Sequence, residues 1–254
     1  MDHFNRLASL KQSGKILASA LSLSKNLLTP NITTLELDSE IHSFILKQGA
    51  TPSFLGYQGF TNSSCISVNT QIVHGVPTSI PLITGDLVTI DIGVSFNGYC
   101  TDAARTYIVD DVENSKKNHL ILTVQKALNS AIVQAIHGNT TGDISFAIQR
   151  DIELNGYKSP LELGGHGINK TPHELPFISN TGVKGRGSKI YEGMCLALEP
   201  IAMAGTRYIV QYDNDDWTFY SEDGELSSHT EDTILVTTDS PIVLTRETLE
   251  GGVI

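Results

Sequence analysis

The stretch that decides the fold is Val88-Thr89-Ile90-Asp91-Ile92-Gly93-Val94-Ser95-Phe96-Asn97-Gly98-Tyr99-Cys100-Thr101-Asp102-Ala103-Ala104-Arg105. β-Branched and aromatic residues flank Asn97-Gly98. Asn-Gly is the strongest short signal for a two-residue hairpin, because both turn residues accept positive φ at low cost. With Asn97 and Gly98 in the turn, Phe96 faces Tyr99 and Asp102 faces Gly93. Asp91 lies two residues from Gly93 and so shares its face. The two carboxylates become diagonal neighbours, roughly 7–8 Å apart at the backbone. Gly93 has no side chain to fill the space between them. On this stretch alone, a surface hairpin with two solvated aspartates is an equal alternative. The flanking apolar residues argue against full solvation, and like charges on a dry face repel unless a positive charge joins them.

Outward from the hairpin, residues 4–28 carry Leu7, Leu10, Ile16, Leu17, Ala20, Leu21, Leu27 and Leu28 near helical spacing, ending at Pro30. Thr33-Thr34-Leu35-Glu36 is a helix start of the capping-box kind, with the helix running to about Lys47 before Gly49. Leu120, Val124, Leu128, Ile132 and Ile136 predict a helix over 116–136, and Asp143 can cap another over about 144–154. Residues 52–110 and the chain from Leu161 onward look like short strands separated by Gly and Pro. The order is helices, strands, helices, strands, with no short tandem repeat and no Pro/Ser-rich linker. One α+β domain over 1–254, with two similar halves, is the simplest organisation.

Composition narrows the class. The 254 residues are 40% hydrophobic and 18% charged, as in a chain that buries a core. A net charge of −11 disfavours a general nucleic-acid or anionic-membrane binder. The basic run Lys184-Gly185-Arg186-Gly187-Ser188-Lys189 reads most simply as a solvated loop. Cys65, Cys100 and Cys195 are odd in number and form no C-x-x-C, which fits free thiols in a reducing compartment. The polar start Met1-Asp2-His3-Phe4 has no signal-peptide core, and no apolar run approaches the roughly 18 residues of a membrane helix. A cytoplasmic, monomeric protein is the expectation.

The second half places polar groups beside runs fit for burial. These are Gly164-Gly165-His166-Gly167, Pro172-His173-Glu174-Leu175-Pro176, Leu198-Glu199-Pro200 and His229-Thr230-Glu231-Asp232. Glycines around His166 let backbone pack close, although a lone His in such a loop is more often structural. A buried carboxylate without a partner is costly, so Glu199 and Glu231 each need one.

These motifs, with Cys65-Ile66-Ser67-Val68-Asn69-Thr70-Gln71-Ile72-Val73-His74-Gly75-Val76-Pro77, resemble the type I methionine aminopeptidase family in order and over nearly the whole chain, from the first helix to Thr245. The family has the pita-bread fold, two pseudo-symmetric halves around a curved antiparallel sheet. The resemblance implies two divalent cations. Asp91, Asp102 and Glu231 would hold one, and Asp102, His166, Glu199 and Glu231 the other. Four carboxylates balance two such charges, and an oxygen-rich set leans to manganese, iron or cobalt over zinc. The resemblance further implies that a hydroxide sharpened by the metals attacks the carbonyl after an initiator methionine, with Glu199 as base. His74 and His173 would bind the scissile amide and stabilise the tetrahedral state. Asp91 would also take the substrate's α-amine. Phe54, Tyr57, Phe60, Cys65 and Trp217 match the methionine pocket, and each is also an ordinary core residue on its own. Asn69 and Ser227 match a monovalent-cation site of some members. Partners would be N-terminal Met peptides and nascent chains, with the ribosome as a further candidate.

Three positions depart from the family. Asn169-Lys170-Thr171-Pro172 replaces a loop that usually carries Gly, Arg and a bulky aromatic, so Pro172 removes one wall of the methionine pocket. Asp232 stands where His is usual, and Phe60 where Tyr is common. Two rivals remain. Xaa-Pro peptidases share the fold and ligands but normally carry a sizeable N-terminal domain, whereas this chain starts at the catalytic helix. A non-catalytic, partner-binding member would have lost ligands. His3, His42, His119, His137 and His229 show no partners in the sequence and are expected to be bland.

Overall fold

Antiparallel sheets in two halves, each backed by a helix pair, bring four acidic residues to one cavity. The computed structural model describes residues 2–212 and 215–247. Four α-helices are described: α1 (Asp2–Leu27), α2 (Thr34–Lys47), α3 (Ser115–Gln134) and α4 (Thr141–Leu154). The strands are β1 (Thr51–Pro52), β2 (Ser64–Val68), β3 (Gln71–Val73), β4 (Leu87–Phe96), β5 (Tyr99–Ile108), β6 (Gly164–Gly167), β7 (Glu174–Ser179), β8 (Cys195–Leu198), β9 (Ile201–Met203), β10 (Ile209–Gln211), β11 (Phe219–Ser221), β12 (Ser227–His229), β13 (Asp232–Leu235) and β14 (Ile242–Val243).

The helix starts follow local chemistry. Thr33 caps α2 and closes a capping box with Glu36, as the sequence predicts. At α4 the expectation needs correction. Thr140 is the cap, and Asp143 is the third helical residue, whose carboxylate reaches back to Thr140 N at 2.9 Å. Asp143 thus completes a second capping box rather than starting the helix.

In the first half, β4 pairs with β1, β2 and β5, and α1 and α2 pack on this sheet. Leu17, Leu37, Ile41, Ile66, Ile90 and Ile92 fill the layer between them. In the second half, α3 and α4 pack on a five-stranded sheet in the order β14-β13-β8-β6-β7. Leu120, Val124, Ile144, Ile148, Leu196 and Ile234 form that core. Fully burying such a side chain is worth about 1.5–3 kcal/mol, so these two layers hold the helices in place. The halves meet where Glu231 N donates to Ala104 O at 3.0 Å and Thr233 Oγ1 donates to Asp102 O at 2.8 Å. No described helix is long and apolar enough to cross a membrane.

Candidate metal centre

The hairpin has the register the sequence predicts: Phe96 pairs with Tyr99, Gly93 with Asp102, and Asp91 with Ala104. Asn97 and Gly98 both have positive φ, as the turn requires. Asp91 and Asp102 are therefore diagonal neighbours on one face. The space above Gly93 is not empty, however. A Cβ there would meet Ser53 Oγ at 2.1 Å and Phe54 Cε1 at 2.5 Å.

The second half contributes by the same strand logic. Asp232 pairs with Leu198 and His229 with Ile201, and continuing either register places Glu199 opposite Glu231. His166 on β6 pairs with Ala197 of β8 and reaches the same cavity. Gly165 and Gly167 make this approach possible, since a Cβ on either would lie 2.2 Å from a backbone oxygen, of Ala197 and Leu175 respectively.

All five ligand candidates line one cavity of about 230 Å³. Potential ligand atoms fall into three groups whose members lie within 4.8 Å of one another: Asp91, Asp102 and Glu231; His166, Glu199 and Glu231; and Asp102, His166 and His173. His166 Nε2 is 3.8 Å from Glu199 Oε1 and 4.0 Å from Asp102 Oδ2. Its Nδ1 contacts Gly167 O at 3.0 Å, a partner that leaves Nε2 with a free lone pair.

The electrostatics are those of a site short of positive charge. Burial, with Glu231 next in effect, raises Asp91 to about 7. Burial and the neighbouring Asp232 raise Glu231 to about 8. Burial and the other acids push Asp102 and Glu199 well above the usual carboxylate range. Desolvation lowers His166 to about 3 and His74 to about 4, so both imidazoles are neutral. Asp91 Oδ1, Asp102 Oδ1 and Glu231 Oε1 are buried with no hydrogen-bond partner. Buried carboxylates normally find partners within the protein. Oxygen donors left over in a cluster this tight suit divalent cations, so the residues present fit the metals the resemblance implies.

The other predicted residues fall in place around this floor. Phe54, Phe60 and Cys65 form a buried apolar cluster with Val76 and Trp217 against it. Phe60 meets Trp217 edge-on with ring centroids 5.1 Å apart. Burial and the facing aspartates push the Cys65 thiol well up, so it acts as an apolar wall. Tyr57 and His173 share the rim, with ring centroids 5.4 Å apart, and His74 faces Trp217 from the side. His74 has φ +58, the left-handed region that few non-glycine residues adopt. Pro172 is buried and does not line the cavity. Asn69 and Ser227 are brought together, with Ser227 N donating to Asn69 O at 3.3 Å and Ser227 Oγ to Gln71 O at 3.2 Å. The Asn69 amide side chain is already engaged with Asp86 and Leu87.

Several expectations change. His229 is not bland. It is 1% exposed and lines the cavity, with Nε2 3.5 Å from Glu199 Oε2 and 3.6 Å from Glu231 Oε2. The signal was present in His229-Thr230-Glu231, since residues two apart on a strand share a face. His42 contacts Ser63 Oγ, His119 contacts Tyr157 Oη, and His137 Nδ1 accepts from Glu192 N. The His3 side chain lies outside the described residues. Asp232 points to the other face, where Arg105 Nη2 and Arg246 Nε hold it at 2.6 and 2.7 Å.

Comparison with known proteins agrees with this architecture. Residues 8–238 match the model of metallopeptidase family M24. The chain is 42% identical over 241 residues to a methionine aminopeptidase of Clostridium perfringens, covering 95% of this chain and 96% of that one. It is 39% identical to methionine aminopeptidase 1 of Bacillus subtilis, over 94% of this chain and 96% of the relative. The crystal structure of methionine aminopeptidase from Rickettsia prowazekii superposes with a TM-score of 0.93 at 34% identity, covering 96% and 98% of the two chains. With the pita-bread fold and an acidic cavity between its halves, the chain belongs to metallopeptidase family M24, in the methionine aminopeptidase branch of that family.

Proposed function

We propose that this chain, acting as one catalytic domain, removes an N-terminal methionine from peptides and nascent chains whose second residue is small. We infer that Asp91, Asp102 and Glu231 hold one divalent cation and Asp102, His166, Glu199 and Glu231 a second. The chemistry such cations supply when bound is Lewis acidity and acidification of water toward neutral pH. Manganese, iron or cobalt suits the oxygen-rich set better than zinc.

The protein's own groups then have distinct tasks. Glu199 accepts the proton of the attacking water on its carboxylate, its affinity for protons raised by burial. Asp91 takes the substrate's free α-ammonium, which restricts cleavage to the first residue. His74 and His173, on the wall of the same cavity, donate hydrogen bonds to the carbonyl oxygen as it gains charge. Phe54, Phe60, Cys65, Tyr57 and Trp217 enclose the methionine side chain, an apolar and polarisable group suited to aromatic walls. The preference for a small second residue rests on the family resemblance. Asn69 and Ser227, through the Asn69 carbonyl and the Ser227 hydroxyl, are the residues to which a monovalent cation would be assigned.

The observation that carries this reading is the meeting of three buried, partnerless carboxylate oxygens with an apolar wall in one cavity. Hydrolysis of Met-Ala-Ser and of an Xaa-Pro peptide, each under manganese or cobalt titration, tests it. Cleavage of Met-Ala-Ser that saturates with metal is the expected result. Cleavage of the Xaa-Pro peptide alone would reassign the substrate, and no metal uptake would overturn the metal centre.

A further inference from the structure

Among the buried titratable groups that line the cavity, His229 is the one for which neither the ligand set nor the substrate contacts supply a task. Strand geometry places it deliberately. It pairs with Ile201, which makes it the diagonal neighbour of Glu199, and it stands two residues from Glu231 on the same face. Backbone contacts with Thr106 Oγ1, donating at 2.6 Å and accepting at 3.2 Å, fix the root of the side chain.

Two buried imidazoles thus flank the same glutamate, and they differ at Nδ1. His166 Nδ1 has the Gly167 carbonyl at 3.0 Å, which holds the proton there and frees Nε2 as a lone pair. Both ring nitrogens of His229 are buried and neither makes a hydrogen bond, but they differ in what stands near them: no acidic group lies within 4.0 Å of Nδ1 among the described residues. The His229 Nε2 faces Glu199 Oε2 at 3.5 Å and Glu231 Oε2 at 3.6 Å. A buried imidazole places its proton where an acceptor stands, because leaving a donor unpaired costs about 1–3 kcal/mol. The two carboxylates are the acidic groups within 4.0 Å of that ring among the described residues.

We propose that His229 is a positioning residue in the opposite tautomer to His166: it carries its proton on Nε2 and shares it between Glu199 and Glu231, aiming both carboxylates at the cavity. The task rests on reading these glutamates as metal ligands, but the tautomer does not. With its lone pair on Nδ1, His229 is not a sixth ligand. It holds Glu199 in the orientation needed to take a proton from water.

The test reads the tautomers in the intact protein. Long-range 15N–1H correlation spectra of the metal-free chain, assigned with His229→Gln and His166→Gln, are expected to show Nε2–H for His229 and Nδ1–H for His166. Titration with 113Cd is expected to give metal–nitrogen coupling to His166 and none to His229. An Nδ1–H tautomer for His229, or 113Cd coupling to it, would overturn the proposal. Absence of cadmium uptake at either histidine would sink the metal centre and leave the tautomer result standing. In calorimetric titration with manganese, His229→Ala is expected to weaken affinity about 10–100-fold, as losing an outer-shell partner does. His229→Gln, which keeps a donor, is expected to recover most of that and most of kcat. Equal damage in Gln and Ala, or none in Ala, would also overturn the proposal.

Discussion

Glu231 and Asp232 are adjacent, both are buried, and they live in opposite worlds. Asp232 turns to the outer face, where Arg105, Arg246 and Thr245 Oγ1 all contact its carboxylate. Glu231 turns to the cavity, with one oxygen partnerless and its proton affinity raised to about 8. One carboxylate is satisfied by the protein, while the other keeps an oxygen with no hydrogen-bond partner among the described residues. Pleat alternation alone separates them by one residue. The two faces are mechanically joined, because Arg105 Nη1 also donates to the Glu231 carbonyl. The same arginine that neutralises the structural acid thereby sets the backbone of the functional one.

That contrast can be broken on either face. The largest effect belongs to Asp102→Ala, which should abolish uptake of at least one cation and cut turnover at least on the order of 10³-fold. Metal analysis beside peptide hydrolysis measures it, and full activity would refute the ligand assignment. On the outer face, Asp232→Ala removes the shared carboxylate of two partly exposed arginines that keep other partners, and should cost about 1–3 kcal/mol in urea unfolding while metal stoichiometry holds. His74→Ala should lower kcat about 10²-fold with metal content unchanged, which separates substrate contacts from ligands. Gly93→Ala drives a methyl into Ser53 and Phe54, and should cost about 1–3 kcal/mol and raise KM for methionyl peptides.

The smallest effect is in pH. Asp91 and Glu231 have folded values of about 7 and 8, far above their usual ones. A raised carboxylate means the metal-free fold binds extra protons. Their favourable contribution is complete below the unfolded values and lost as pH rises through about 7 to 8. Cations held by these carboxylates would remove that penalty. The gain in Tm on adding manganese should therefore be larger at about pH 8 than at about pH 6 by thermal-shift measurement. An equal gain at both values would mean that these carboxylates do not meet the metal.

Much of this was legible early, for identifiable reasons. The Asn97-Gly98 turn is short-range chemistry, and it set the register that makes Asp91 and Asp102 neighbours. The Thr33 and Glu36 box and the apolar spacing of α1 to α3 are equally local. Half of the His229 environment is local, with Glu231 two residues on, but Glu199 lies 30 residues away along the chain and only the fold brings it there. Asp232 departs from the family's usual His, and only the tertiary structure shows that Arg105 and Arg246 hold its carboxylate on the face away from the cavity. Asp143 was misplaced by three residues because a capping acid and a capping-box acid look alike without the backbone.

Sequence by itself determined which residues alternate on each strand, where the turns fall and which acids sit among apolar neighbours, because these depend on periods of two and on φ preferences. Only the tertiary structure decided which of those acids meet each other, which meet arginines and which imidazole faces them. Those choices depend on how two sheets are joined, and charge desolvation is a property of the whole enclosure rather than of any stretch of chain.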